Sequence, residues 1–573
     1  MNVAEYIAAF LNAQKINFVF EVAGGMITHL LDAIHRQGEI NLVSCHHEQS
    51  AAFAADALAR VTGRPGVAMA TSGPGAINLL TGIGTCYFDS TPAIFITGQV
   101  NTHEKKRNKP IRQQGFQETD IVSIAHPITK AAWRVNSPRE VPDILERAYN
   151  VSLSDRPGPV LIDIPMDVQG SEIDSPMPVR LSSPVIKSPN KKFIIELLKK
   201  LSSAKRPLIL AGGGIHSARA SELFRNFVEK VKIPVVNSLM AVDILPYDHH
   251  LRLGMIGTYG NRWANKAIGS SDFLLVIGSR LDIRQTGADT KAFKNDKIIY
   301  HIDCEEGEIN NRIKGCRTIL AHIQPFLAMT AEISAQYKLP DHSDWLKKII
   351  NLKQSWPDIS ELKGITGINP NKFMHLLSKK SNLAAAFVVD IGQHQMWAAQ
   401  SLELGADQRF ITSGGMASMG FALPASLGAS LAYPGQPVVL VAGDGGFQLN
   451  IQELETIIKN NLPIKIVVIN NECYGMVRQF QESYFNKRYQ STYWGYSAPD
   501  FSKIAQAYGI QALTIDKPKD VISGLKQMWK DPQTPFLLQV MINPLVNTYP
   551  KIAFGLPITE MEPLAKPIAM EGT

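Results

Sequence analysis

The sequence predicts an α/β protein built from three doubly wound parallel-sheet domains. Two observations predict it. Short apolar runs alternate with helical patterns along the chain, the rhythm of parallel strands joined by crossover helices. At 573 residues the chain is too long for one core, and two polar, Pro-containing stretches divide it into parts of domain size.

The elements follow in order. The opening MNVAEYIAAFLNAQKI carries Glu5 early and reads as an amphipathic helix, not a signal peptide. The first domain, 1–173, holds the strands NFVFEV, INLVSC, PGVAMATSG, PAIFITGQ and PVLIDIP. SEIDSPMPVRLSSPVIKSPNKK, rich in Pro and Ser, reads as a linker. A second domain, 191–336, follows with PLILAGG, PVVNSL, FLLVIGS and KIIYHID. Residues 337–370 read as another polar connection. The third domain, 371–543, contains PVVLVA and IKIVVI, and 544–573 form a tail. The first and third domains share length and rhythm, consistent with a common ancestor.

Bulk properties exclude several classes. No apolar run reaches the ~20 residues of a membrane helix. The five cysteines are scattered without a C-x-x-C pair, so free thiols in a reducing cytoplasm are expected. The net charge of +7 is spread out, apart from HEKKRNKPIR at 103–112, and no nucleic-acid-binding motif accompanies it.

The most informative stretch is GDGGFQLNIQELETIIKNNLPIKIVVINN, 443–471. A strand runs into an exposed-looking glycine turn that opens the helix LNIQELETIIKNN. A second strand ends in Asn470-Asn471, with Asn471 27 positions after Asp444. Both turns belong at the carboxyl edge of a parallel sheet, where ligands collect. Glycine lets backbone N–H groups approach anionic oxygens, and Asp444 and Asn471 offer hard oxygen ligands. The pattern asks for Mg²⁺ and a phosphorylated cofactor.

Together with CHHEQSAAFAADALAR (45–60), ATSGPGAINLLTGIGTCYFDSTPAIFITGQ (70–99), GFQETD (115–120), DIGQHQMWAAQ (390–400) and TSGGMASMGFALPASLGA (412–429), this stretch resembles the thiamine diphosphate enzymes of the acetohydroxyacid (acetolactate) synthase family. The resemblance extends from about Ala4 to the tail YPKIAFGLPITEM. It implies that the cofactor is thiamine diphosphate, anchored through Mg²⁺. Asp444, Asn471 and the backbone carbonyl of Cys473 match the family's metal ligands. Gly392, Gln393 and His394 match the diphosphate grip, and Gly443, Gly445, Gly446 and Met476 complete the cofactor-binding set. Glu48 matches the glutamate that hydrogen-bonds N1′ of the pyrimidine. Met419 matches the apolar wedge under the cofactor, and Gly25, Phe116 and Gln117 match residues of the reacting face. Plainer readings stand beside these: Glu48 complementing a helix dipole, Met419 as core filler, His394 as a satisfied loop histidine.

In the second domain AGGGIHSA (211–218) is a weak nicotinamide fingerprint. LGMIGTYG (253–260) and GSRLDIRQTG (278–287) instead resemble the family's FAD-binding segments, in which the flavin is mainly structural. Arg156, Gly213, Met255, Arg280, Asp282 and Arg284 match the positions that hold it. The plainer reading makes Arg280 and Arg284 surface ion-pair partners.

The sequence also departs from the family pattern. Met166 stands where lysine is usual and Phe480 where the acceptor-site tryptophan is usual. Met26 replaces alanine and Glu21 glycine. The segment before Phe116 is about six residues longer than the pattern, and the extra length is the basic stretch. The resemblance therefore implies a carboligase that decarboxylates pyruvate and transfers the acetyl unit to a second 2-keto acid. The departures open a variant, similar to flavin-containing carboligases of branched-sugar pathways, with a keto-sugar nucleotide as acceptor. A 2-keto acid decarboxylase or oxidase is the alternative, and a catalytically dead cofactor-binding homologue a further one. The resemblance implies a homodimer or homotetramer with active sites between subunits, and no role for nucleic acid or membrane.

Overall fold

Three parallel six-stranded sheets form the molecule. The computed structural model describes residues 1–181, 186–337 and 339–571. The first sheet contains β1 (Phe18–Glu21), β2 (Asn41–Ser44), β3 (Gly66–Ala70), β4 (Ala93–Gln99), β5 (Ala131–Arg134) and β6 (Pro159–Pro165), in the order β2-β1-β3-β4-β6-β5. The second contains β7 (Pro207–Ala211), β8 (Val235–Asn237), β9 (Arg252–Met255), β10 (Phe273–Ile277), β11 (Ile298–Asp303) and β12 (Arg317–Leu320), in the order β12-β11-β10-β7-β8-β9. The third contains β13 (Ala386–Val389), β14 (Arg409–Ile411), β15 (Val438–Gly443), β16 (Ile464–Asn470), β17 (Gln511–Ile515) and β18 (Phe536–Met541), in the order β14-β13-β15-β16-β18-β17. The first and third sheets share one topology, as their common rhythm predicts.

Central strands are apolar because helices cover both faces. Every residue of β4, β6, β15 and β16 is buried. Each sheet has a central point where its winding reverses, between β1 and β3, β7 and β10, and β13 and β15. A crevice opens outside the carboxyl ends of the strands at such a point, and ligands bind there. The motifs singled out in the sequence fall at these three places.

The first and third domains pack through the helices Glu48–Thr62 and Ala422–Ala432, which share one core. They touch closely: a Cβ at Gly428 would stand 1.9 Å from the Ala54 carbonyl oxygen. Among the described residues no helix is long and apolar enough to cross a membrane.

Some expectations need correction. The 337–370 stretch is not only a connection, since it contains the helix Ser343–Ser355, of which Ile349 alone is fully buried. A helix so thinly packed leaves little apolar signal. Strands β5, β9 and β12, and in the third domain β13, β14, β17 and β18, were not anticipated; β5 and β12 mix polar with apolar residues at sheet edges. The GDGG segment is buried, not exposed, and forms the helical turn Asp444–Gln448, while the next helix shrinks to Glu453–Lys459. Of the 171–192 linker, 182–185 lie outside the described residues, and a helix begins at Lys191.

Candidate active site

The third domain supplies the first half of the site, at the reversal between β13 and β15. Asp390 follows β13 and accepts from the backbone N–H groups of Ile391 (2.6 Å), Gly420 (3.0 Å) and Ala422 (3.3 Å). Burial nonetheless pushes its carboxyl up to about 6. These bonds fix the loop that carries Met419. Gly392 has φ +151° and starts the helix Gln393–Ser401. His394 Nε2 accepts from Gly443 N–H at 3.2 Å. Burial lowers the imidazole to about 3, so it is neutral. A Cβ at Gly392 or Gly443 would strike its ring at 2.8 or 2.9 Å, so both positions need glycine.

The Asp-Asn pair comes together across β15 and β16. Asn471 Nδ2 donates to Gln393 Oε1 at 3.2 Å. Its Oδ1 then faces two more acceptors, Asp444 Oδ1 at 3.2 Å and the Cys473 carbonyl at 2.8 Å. The Asp444 carboxylate and the Cys473 carbonyl thus meet at the Asn471 amide, a side chain that can turn either its oxygen to a hard cation or its nitrogen to the two acceptors. With no cation, the amide satisfies both acceptors by turning over. Asp444 Oδ2 is buried without a hydrogen-bond partner of good geometry. Burial pushes the Asp444 carboxyl up to about 7, a penalty that a bound cation would relieve.

A cavity of about 1050 Å³ joins this half to the second domain. Gly392, Gln393, His394, Met419, Gly443, Asp444, Gly445, Gly446, Asn471, Cys473 and Met476 line it. So do Arg156, Gly213, Met255, Arg280, Asp282 and Arg284, so the residues matched to diphosphate, metal and flavin share one space. The second-domain part lies at the reversal between β7 and β10, and the strand order is that of dinucleotide-binding sheets. Here the backbones nearly touch: a Cβ at Gly212 would sit 2.0 Å from the Gly278 carbonyl oxygen. Burial pushes Asp303, at the end of β11, up to about 6. The arginines are partly committed to carboxylates: Arg156 to Glu305 (2.7 Å) and Glu308 (2.6 Å), Arg280 to Asp282 (3.5 Å), and the exposed Arg284 to Glu571 (3.9 Å).

The first domain gathers a second half-site at the reversal between β1 and β3. Glu48 opens its helix and accepts from Asn78 Nδ2 at 2.9 Å. The Gly73–Gly75 turn lies between Glu48 and Gln117. A Cβ at Gly75 would be 3.1 Å from Glu48 Oε1, and one at Gly73 would be 2.9 Å from Gln117 Cβ. Gln117 itself has φ +64°, a left-handed value costly for a non-glycine residue. Gly25 faces open space, and neighbouring Met26 N–H donates to Thr71 Oγ1 at 3.3 Å. Phe116 is 78% exposed.

These four first-domain residues are not among those lining the large cavity. Nor are Met166 and Phe480. Met166 begins the short helix after β6, next to Asp167, which accepts from Thr102 Oγ1 at 2.5 Å at the base of the basic segment. Phe480 lines a neighbouring cavity of about 470 Å³ with Met476, Tyr259 and Phe554. Sequence reasoning missed Asn78, Asp390 and Asn450. Asp390 had a signal, an acid ending an apolar strand before glycine. Asn450 bonds Gly420 O (2.8 Å), Gln49 Oε1 (3.2 Å) and Ser50 Oγ (3.2 Å), a tertiary bridge invisible in one dimension.

Three family models match in order. They are described as the thiamine pyrophosphate enzyme N-terminal TPP binding domain (residues 1–124), central domain (194–330) and C-terminal TPP binding domain (390–540). The acetolactate synthase large subunit of Lactococcus lactis subsp. lactis is 37% identical over 561 residues, covering 97% of this chain and 95% of that protein. The probable acetolactate synthase large subunit of Methanocaldococcus jannaschii is 36% identical over 583 residues, with 100% and 96% covered. The isozyme 2 large subunit of Escherichia coli K12 is 35% identical over 561 residues, with 98% and 99% covered. Similarity of this degree over the whole length, on three sheets whose reversals carry the shared motifs, makes the chain a member of the acetolactate synthase large-subunit family of thiamine pyrophosphate enzymes.

Proposed function

We propose that the chain is a carboligase that decarboxylates pyruvate and joins the two-carbon unit to the carbonyl of a second 2-keto acid. The observation that carries this reading is the oxygen set of Asp444, Asn471 and Cys473 beside the Gly392–His394 helix start. The oxygens would hold Mg²⁺, and the helix start with Gln393 and His394 would hold the diphosphate. Thiamine diphosphate, when bound, supplies the carbon nucleophile and the electron sink for decarboxylation. Glu48 would hold and exchange a proton at its pyrimidine nitrogen, with Asn78 orienting the carboxylate. Met419 would support the cofactor from below. Gly25, Phe116 and Gln117 would border the reacting carbonyls and shield them from water. Glu48 is not among the residues that line the cavity with Asp444, which supports a complete site built with a second subunit, and that subunit would cover the exposed Phe116. Gly213, Met255, Arg280, Asp282, Arg284 and Arg156 would hold FAD. Arg156 is the weakest of these candidates because two carboxylates already engage it.

The test is incubation of the protein with pyruvate, thiamine diphosphate, Mg²⁺ and FAD, with mass analysis of the products. The expected product is 2-acetolactate. Acetaldehyde or acetate alone would make the chain a decarboxylase or an oxidase.

A second acceptor is favoured by the basic segment. Arg107, Lys109 and Arg112 are exposed just before Phe116, while Lys105 is half-buried, within electrostatic reach of Asp163 and Asp167. Exposed cations there would steer a nucleotide-bearing keto-sugar, an effect that salt weakens. With pyruvate as donor, 2-ketobutyrate and a 4-keto-sugar nucleotide are offered in competition. Preference for the sugar, lost when Arg107, Lys109 and Arg112 become Ala, supports this acceptor. Unchanged acetolactate formation sinks it.

A further inference from the structure

The large cavity continues past Arg156, between the first and second domains, into an outer lobe that includes Arg64, Tyr149, Arg180 and Arg219. The carboligase reading makes no use of this lobe. Its arginines differ from the others around the cavity. Arg60 is paired with Asp56 and Asp89, Arg156 with Glu305 and Glu308, and Arg409 with Asp243. Among the described residues, no carboxylate lies within ion-pair distance of Arg64, Arg180 or Arg219. Arg180 and Arg219 are exposed and Arg64 is half-buried, so their forks are open to an incoming anion.

The lobe is also held in place. Gln14 is 2% exposed and grips the linker on both sides of Arg180. Its Nε2 donates to the Val179 carbonyl at 2.8 Å, and its Oε1 accepts from Leu181 N–H at 3.0 Å. A Pro- and Ser-rich linker needs no such clamp merely to connect two domains. The clamp fixes the backbone under one arginine. Arg219 lies over Gly63, where a Cβ would sit 2.6 Å from its Nε, so glycine there leaves room for the guanidinium next to the residue that precedes Arg64 in the chain. Arg64 Nη1 donates to the Lys15 carbonyl at 2.9 Å, which orients its fork. Burial raises the Tyr149 hydroxyl, and Arg64 and Arg180 both act against that shift, which places both cations near the ring.

We propose that Arg64, Arg180 and Arg219, with Tyr149 beside them, bind the phosphates of a nucleotide at a position separate from the diphosphate site at Gly392–His394. Planar guanidinium forks match phosphate oxygens two at a time, and a tyrosine ring offers a stacking face to a base. The occupant is a free nucleoside diphosphate, bound in addition to any dinucleotide that fills the inner cavity.

The experiment titrates ADP into the full-length protein, FAD-loaded and FAD-stripped, by calorimetry, with adenosine as a control. It is repeated with the Arg180→Ala/Arg219→Ala double variant and with Arg180→Lys, after melting curves confirm that the variants fold. The expected result is ADP binding to the FAD-loaded protein that weakens with salt and falls about tenfold or more in the double variant. Arg180→Lys, which keeps the charge but loses the fork, should fall between. FAD binding weakened in the double variant, whether ADP competes with it or fails to bind, would assign these arginines to the dinucleotide's own tail and overturn the proposal. ADP and FAD affinities that the substitutions leave unchanged overturn the proposal. So does the absence of ADP binding to either form together with unchanged FAD affinity.

Discussion

Glu48, the proposed proton-handling residue, has two close neighbours in its own chain: the Asn78 amide at 2.9 Å and the glycine turn that leaves room at Oε1. Glu48→Gln keeps the shape and removes the proton. Turnover is expected to fall by ~10²–10⁴-fold with cofactor affinity retained. A near-normal pyruvate decarboxylation rate in this variant would remove Glu48 from the chemistry. Asp163 shows burial acting on a carboxyl elsewhere in the first domain. Thr97 Oγ1 (2.9 Å) and Gln99 Nε2 (3.0 Å) donate to it, yet burial raises it from 3.8 to about 6. A carboxyl raised on folding favours the protonated native state. Its stability penalty is absent below the unfolded value, grows between about pH 4 and 6, and reaches roughly 3 kcal/mol above that. Asp163→Asn escapes this penalty. The melting-temperature difference between variant and wild type should therefore move in the variant's favour from about pH 4 to about pH 7. A difference that does not change with pH would show that Asp163 titrates at its ordinary value.

At the scale of elements, the helices Glu48–Thr62 and Ala422–Ala432 tie the first domain to the third through small residues. Gly428 lies against the Ala54 carbonyl, so the backbones themselves make the contact. Gly428→Ala forces that contact apart and is expected to cost about 1–3 kcal/mol, read as a lowered melting temperature. Since Glu48 opens one of these helices and Met419 precedes the other, activity should fall with it. An unchanged melting temperature would mean that the helix pair has slack the distances do not show. The loops at the three winding reversals differ in construction. Between β13 and β15 a buried aspartate ties the loop down, whereas between β1 and β3 glycine turns and one left-handed glutamine do so.

For the whole molecule, the question is which subunit supplies Glu48, since Glu48 is not among the residues that line the cavity with Asp444. If each complete site takes Glu48 from one subunit and Asp444 from its partner, two inactive variants complement each other. Glu48→Gln co-expressed with Asp444→Asn should recover about a quarter of wild-type activity. Half the dimers are then mixed, and each mixed dimer has one intact site. Mixed dimers verified by differential tags but without activity would place both residues in one subunit's site. Light scattering should show at least a dimer, and a fully active monomer would refute the arrangement.

The strands, their alternation with helices and the glycine turns were legible in the chain. Apolar runs such as IKIVVI and PVLIDIP have one stable use, as strands buried on both faces. The motifs followed for the same reason, because Asp444, Asn471, Glu48 and His394 sit at strand ends, where local sequence and local structure coincide. Thinly packed elements were not legible. The helix Ser343–Ser355 and the strands β5 and β12 are half-exposed and leave a weak periodic signal. Long-range relations were also out of reach. That GDGG is buried, that the Asn471 amide meets Asp444 and the Cys473 carbonyl, and that Glu48 and Gln117 share a glycine turn all depend on strand order. That order brings together segments tens to hundreds of residues apart. Sequence by itself determined the fold class and the chemistry each motif can offer. Only the tertiary structure decided which motifs share a cavity, because that depends on where each sheet reverses its winding, a property of the assembled strands that no single segment carries.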